Sequence, residues 1–332
     1  MRYNEIYSDY RRNMYADSVK IQFRISFSVI PIQLIKGNGM IKKIKSCCAL
    51  MRIAHWIKNF IVLMPAFYGG VFLRGSIIFK LIGGFAAFAF CSSAIYIIND
   101  LCDIEKDRLH PVKCKRPLAS GAISKTEGIV LFCFCMATAI GLNFAACGIS
   151  TGALIPVLYL LLNLMYSKSW KNKPIIDIVT LVSGFVLRLL YGAFITDVHI
   201  SKWLFLTLIA LSMFMAFGKR RNEKKELGDS TRTVLAHYTD SFLNSSMYMY
   251  LGLFLVFYAL WSVDTSSLPG MIYTTPLVIV MMTRYTYDLE GESHGNPVDM
   301  ILGDKLLLLL GFAYAAFIFV QIYFPEVLSE RL

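Results

Sequence analysis

Charge is scarce in this sequence. Asp, Glu, Lys and Arg make up 17% of its 332 residues, against about 25% in soluble domains. Its eight cysteines (Cys47, Cys48, Cys91, Cys102, Cys114, Cys133, Cys135 and Cys147) form no CxxC pair, and they read as small apolar packing residues. No two histidines stand at metal-ligand spacing, which argues against zinc. The apolar runs do not alternate with polar residues, so short barrel strands are excluded as well. No small-residue cleavage site follows the stretch IQFRISFSVIPIQLI (21–35), so it makes a poor signal peptide.

What the chain has is apolar length: 56% of its residues are hydrophobic. A membrane-spanning helix needs roughly 20 such residues in a row. Suitable runs cover 54–73, 79–98, 127–147, 149–166, 175–195, 202–218, 246–263, 270–287 and 305–324. They predict an all-α, polytopic membrane bundle of about nine transmembrane helices. Basic residues then set the orientation. With the N-terminus inside, the inward segments hold 22 Lys and Arg residues, and the outward side holds only Arg74, Lys80, Lys202 and Arg331. That places the C-terminus outside and explains the net charge of +11 by topology and anionic lipid, with no need for nucleic acid. Residues 1–39 read as an atypical extension, either amphipathic on the inner membrane face or preceding a true start at Met40. Residues 40–332 read as a single domain.

Two inward loops are long and polar, 99–125 and 219–245. They occupy matching positions in two four-helix halves, consistent with a weak internal duplication and with a cavity capped from the cytoplasmic side. The first reads NDLCDIEKDRLHPVKCKRPLASG from residue 99. Continued as a helix through residue 109, it places Asp100, Asp103 and Asp107 within an arc of about 60°, with Asn99 at the flank. Three carboxylates so placed repel one another unless a cation lies between them. A hard divalent ion suits them: Mg²⁺ takes one or two carboxylates and completes its shell with water and phosphate oxygens. His110, Lys113 and Arg116 follow closely, and cations beside a metal face fit an anionic ligand gripped from both sides. The pattern points to the handling of a diphosphate.

NDxxDxxxD followed by RPLASG resembles the first signature of the UbiA-type polyprenyl transferase superfamily. The segments HWIKN (55–59), YSKSWKNKPIIDIVTLVSGFVLRLLYGA (166–193), GKRRNEKKELGDSTRTVLAHYTD (218–240) and GNPVDMILGDKLLLLLG (295–311) are similar, more narrowly, to its decaprenyl-phosphate phosphoribosyltransferase branch. The resemblance runs from about residue 50 to the end. It implies a nine-helix intramembrane enzyme that binds a diphosphate through Mg²⁺ held by Asn99, Asp100, Asp103 and Asp107. The loop after span six departs from the second aspartate-rich motif of aromatic prenyl transferases. It is dominated by Lys219, Arg220, Arg221, Lys224 and Lys225, with Glu223 and Asp229 able to assist, which favours bare phosphates as ligands.

By the same resemblance Lys58 and Asn59 line the polar pocket. Arg188 lies well within span five, where a charge costs about 2.5–3.5 kcal/mol on insertion scales, so it must face the bundle interior and meet an acid or a substrate phosphate. Asp177 is placed to bind ribose hydroxyls or to pair with Lys168, and Tyr166 is an interface aromatic or a ligand. The expected activity is phosphoribosyl transfer in the inner membrane, facing the cytoplasm, toward a cell-wall lipid precursor. Its substrates would be 5-phosphoribosyl 1-diphosphate and a long polyprenyl phosphate. Asp100, Asp103 and Asp107 carry the chemistry through Mg²⁺, with Lys113, Arg116, Lys219 and Arg220 orienting phosphates. The alternatives are prenyl transfer to an aromatic quinone precursor and non-enzymatic lipid transport. The oligomeric state is left open.

Overall fold

The computed structural model describes residues 38–110, 112–227, 233–264, 269–291 and 297–324. Residues 1–37 lie outside these, and with them the amphipathic reading of the extension; so does Asp229. Among the described residues every regular element is helical, as continuous apolar runs demand when backbone groups must be satisfied without water. Residues 46–332 form one compact unit.

Helix α1 (Asn38–Leu50) is followed by a 3-10 helix over Ile53–Leu63 and a short α2 (Met64–Tyr68). Then come α3 (Gly75–Cys102), α4 (Ile104–Leu109), α5 (Lys125–Cys147), α6 (Ile155–Lys168) and α7 (Ile176–Thr196). The second half holds α8 (Lys202–Leu227), α9 (Asp240–Asp264), α10 (Thr274–Glu290), α11 (Pro297–Gly303) and α12 (Lys305–Tyr323). Among the described residues, seven helices are long and apolar enough on their own to cross a membrane. The other two expected spans are helical but broken. Residues 54–73 qualify only when joined to α1 across the gap at 51–52. Residues 270–287 fall to a 3-10 turn (Pro269–Tyr273) and the 17-residue α10.

Ends are set locally. Ser124 and Glu127 cap the start of α5 reciprocally, the capping-box arrangement. Asp304 accepts from the backbone N–H groups of Leu306 and Leu307 at the start of α12, and Arg284 Nε donates to it at 2.6 Å. Small residues on α3 let its neighbours close in: Gly84, Ala87, Ala89, Ser92, Ser93 and Ala94 are all buried, the usual currency of helix packing in lipid. One apolar core joins Val62, Phe88, Tyr159 and Tyr191; a second gathers Phe214, Tyr258, Met282 and Leu289 from α8 to α10. Phe79, Ile82, Phe134 and Phe312 face outward, as a lipid-facing surface requires. Successive spans alternate in direction, which brings the ends of α3, α6 and α8 and the start of α7 to one end of the bundle.

Candidate active site

The acidic stretch stays helical with one hinge. α3 closes at Cys102, Asp103 turns at φ −100° and ψ 9°, and α4 resumes. The ladder continues across the hinge: Asp103 N–H donates to the Asn99 carbonyl at 3.0 Å, and Asp107 N–H to the Asp103 carbonyl at 2.8 Å. Seven helical residues return to within about 20° of the starting direction, so Asp100 and Asp107 line up. Both are buried, 3% and 4% exposed. Arg116 Nη1 donates to Asp100 Oδ1 at 3.1 Å and to Asp107 Oδ2 at 2.7 Å. Arg52 Nη2 donates to the same Asp100 oxygen at 2.8 Å, with its guanidinium 4.4 Å from the centre of the Tyr96 ring, a cation–π distance.

The expected convergence of three carboxylates is corrected to two. Asp103 sits at the hinge; its side chain is 35% exposed and pairs loosely with Lys106 at 3.9 Å. Among the described residues no three His, Cys, Asp or Glu side chains gather at one point. The pair still fits the implied ion. Two carboxylates that meet one cationic atom mark a spot built for positive charge, and their donors are hard oxygens of the kind Mg²⁺ takes. Asp100 and Asp107 are the residues able to hold it, with half-buried Asn99 and Asp103 beside them.

Lys113 is exposed, and Lys58 is half-buried on the 3-10 segment. His110 is turned into the loop, where its Nδ1 accepts from the backbone N–H groups of Val112 at 3.2 Å and Lys113 at 3.4 Å.

A second polar cluster lies at the same end of the bundle. Arg220 Nε donates to Asp177 Oδ2 at 2.6 Å, Nη1 to Glu223 Oε2 at 2.7 Å and Nη2 to the Tyr166 hydroxyl at 3.2 Å. The Tyr238 hydroxyl donates to Asp177 Oδ1 at 2.6 Å and accepts from Ile175 N–H at 2.6 Å. Burial, and then the Asp177 carboxylate it bonds, push the Tyr238 hydroxyl well above its ordinary pKa. Lys224 Nζ reaches the Tyr238 carbonyl, and Lys219 Nζ stands 3.9 Å from Glu223. Two expectations change here. Asp177 pairs with Arg220, while Lys168 is exposed on the last turn of α6. Arg220 is itself sealed, 1% exposed, with all three of its nitrogens donating to protein oxygens, so it braces the ends of α6, α7 and α8 and does not stand open to a phosphate.

Arg188 faces the bundle interior as expected; of the two partners expected for it, an acid or a substrate phosphate, no acid is among its contacts within the described residues. Nε donates to Asn59 Oδ1 at 2.7 Å, Nη1 to the Gly184 carbonyl at 2.7 Å, and Nη2 to Tyr159 at 2.9 Å and Ser92 at 3.2 Å. The Tyr159 and Phe88 rings lie 4.6 and 5.1 Å from its guanidinium carbon. Asn59 is fully buried, and its amide Nδ2 has no hydrogen-bond partner among the described residues.

Sequence reasoning missed Arg52, Tyr238, Tyr159 and Ser92. Arg52 looked like any inward-facing base at a span mouth. Tyr238 carried one faint signal, its place in the AHYTD end of the second polar loop.

The model of the UbiA prenyltransferase family matches residues 62–299. The decaprenyl-phosphate phosphoribosyltransferase of Corynebacterium glutamicum is 33% identical over 299 residues, covering 86% of this chain and 87% of that protein. The enzyme of the same name from Mycobacterium tuberculosis is 30% identical over 279 residues, covering 80% and 90%. A UbiA homolog from Archaeoglobus fulgidus, solved with GPP and Mg²⁺, superposes with a TM-score of 0.64 at 19% identity over 83% of this chain and 99% of its own. With the family pattern covering most of its length, this chain is an integral membrane protein that belongs to the UbiA prenyltransferase family.

Proposed function

We propose that this protein transfers 5-phosphoribose from 5-phosphoribosyl 1-diphosphate to a polyprenyl phosphate, with release of pyrophosphate. The observation that carries the reading is the pair of buried carboxylates, Asp100 and Asp107, meeting a single cationic atom beside Arg52. Such a site suits a metal-chelated diphosphate, and the names of the curated relatives favour phosphoribosyl transfer over prenyl transfer.

The bond that breaks joins ribose C1 to the bridging oxygen, and pyrophosphate leaves with the electron pair. The bond that forms joins C1 to an oxygen of the lipid phosphate. That nucleophile is already anionic, so no general base is needed. Mg²⁺, held by Asp100 and Asp107 with Asn99 and Asp103 at its side, would offset charge on the departing diphosphate. Arg116, Arg52, Lys113 and Lys58 orient the phosphates, and Lys219 extends the basic rim. Positioning and charge compensation supply most of the acceleration. Tyr166, Asp177, Arg220 and Glu223 keep the ends of α6, α7 and α8 in register beneath the donor. His110 shapes the loop that carries Lys113.

Residues 40–332 act as one transferase domain. The excess of inward-facing basic residues supports an inner-membrane enzyme whose donor enters from the cytoplasm and whose lipid enters sideways between helices. The deciding experiment incubates membranes carrying the chain with labelled phosphoribosyl diphosphate and, separately, labelled geranyl diphosphate. Label should pass into the organic phase from the first donor, stop with EDTA and return with Mg²⁺. Transfer from the second donor alone would make this a prenyl transferase, and transfer from neither would leave lipid transport.

A further inference from the structure

The first span is wound in an unusual way. Ile53–Leu63 is a 3-10 helix of eleven residues, although such runs rarely exceed three or four because side chains at i and i+3 eclipse. It begins at Arg52, which sits at φ 51° and ψ 50°, a left-handed conformation seldom adopted by a residue other than glycine. Something must hold the segment in this form, and the contacts show what does.

Near one end, Ser93 Oγ donates to the Met51 carbonyl at 2.8 Å and accepts from Trp56 Nε1 at 3.0 Å. Toward the other, Arg188 Nε grips Asn59 Oδ1 at 2.7 Å. Beyond it Gly192 lets α7 press against the Val62 carbonyl; a Cβ at position 192 would stand 2.0 Å from that oxygen. The spacing between these pins decides the winding. A 3-10 helix rises about 2.0 Å per residue and an α-helix about 1.5 Å, so the seven residues from Arg52 to Asn59 reach about 3.5 Å farther than α-winding allows. That reach brings Arg52 to within 2.8 Å of Asp100.

Arg188 carries its charge into the apolar interior and, among the described residues, meets only neutral acceptors there. Burial on those terms is costly, but it makes each of its hydrogen bonds charge-assisted and firm. We propose that Arg188 is a positioning residue: through Asn59 it keeps the first span stretched as a 3-10 helix and so sets Arg52 against Asp100. This role rests on the reading of the Asp100–Asp107 site as the seat of a diphosphate.

The test is a double-mutant cycle on the purified full-length protein, with Mg²⁺-pyrophosphate binding measured by titration calorimetry and folding by thermal unfolding. Arg52→Gln, Arg188→Gln and Asn59→Leu should each weaken binding about tenfold, and Arg188→Gln with Arg52→Gln should be no weaker than Arg52→Gln alone, because coupled residues fail to add. Asn59→Asp keeps the tether as an ion pair and should recover most of the affinity that Asn59→Leu loses. Should Arg188→Gln not fold, Asn59→Leu takes its place in the cycle, since it leaves the other acceptors of Arg188 intact. Wild-type affinity in Arg188→Gln or Asn59→Leu, or losses that multiply to about a hundredfold in the double variant, overturn the role of Arg188 alone. A wild-type protein that binds no pyrophosphate overturns the site itself, and the positioning role with it.

Discussion

Asp100 and Asp177 are both buried carboxylates facing arginine at the same end of the bundle, yet their surroundings differ in kind. Both oxygens of Asp177 are occupied, one by Arg220 and one by Tyr238, and Arg220 is as deeply buried as its acid. The Arg52 and Arg116 side chains at Asp100 are 25% and 30% exposed, and both lean on one oxygen while Arg116 also serves Asp107. The first arrangement is closed to newcomers. In the second, partners that reach water can exchange. A bundle that must stay rigid while admitting a charged substrate needs both kinds of site.

The largest expected effect tests the open one. Asp100→Asn should lower transfer about 10²–10³-fold, in the range of a lost electrostatic contact at a reacting centre, while the protein still purifies folded. Radiolabel incorporation measures it, and unchanged turnover would erase the distinction. At the closed site the loss should fall on stability. Asp177→Ala takes from Arg220 the more deeply buried of its two carboxylates, leaving Glu223, and should cost about 3 kcal/mol, the low end for a buried pair that loses one member, read from unfolding in detergent. A variant that lost activity at full stability would move Asp177 into the reaction. Tyr238→Phe is milder. It removes two hydrogen bonds, one to the buried Asp177 carboxylate and one from the Ile175 N–H, and should cost about 1–3 kcal/mol, with little change in donor affinity.

The smallest effect belongs to a surface pair. The hydrogen bond from Arg284 holds Asp304 down at about 2, below the ordinary carboxylate value near 4. A lowered acid stabilises the fold above its unfolded pKa and loses that contribution as pH falls through the folded one. The part Asp304 plays should therefore be complete above about pH 4 and fade toward pH 2. Asp304→Asn should flatten that stretch of a melting-temperature curve, and no difference between the two curves would show the pair to be inert.

Much of this was legible in the residues. Apolar length alone located α3, α5, α7, α8 and α12, because a span leaves a run that few other structures produce. The i+7 spacing of Asp100 and Asp107 marked the open site for the same kind of reason, helical geometry being local. The winding of the first span was hidden: IAHWIKNFIVL has the composition of an α-helix, and only its pins at Ser93, Arg188 and Gly192 make it otherwise. The ion pairs were hidden too. Arg52 lies 48 residues from Asp100, and Asp177 lies 43 from Arg220, so nothing local announces either. The third aspartate misled because regular helical spacing says nothing of a hinge at Asp103.

Where Gly192 meets Val62 the backbones of two segments touch with no room for a methyl group. Even alanine, the mildest replacement there is, must drive the segments apart or rewind one of them. Position 192 thus has a vocabulary of one residue, and a saturation library at that codon should return glycine almost alone among the survivors.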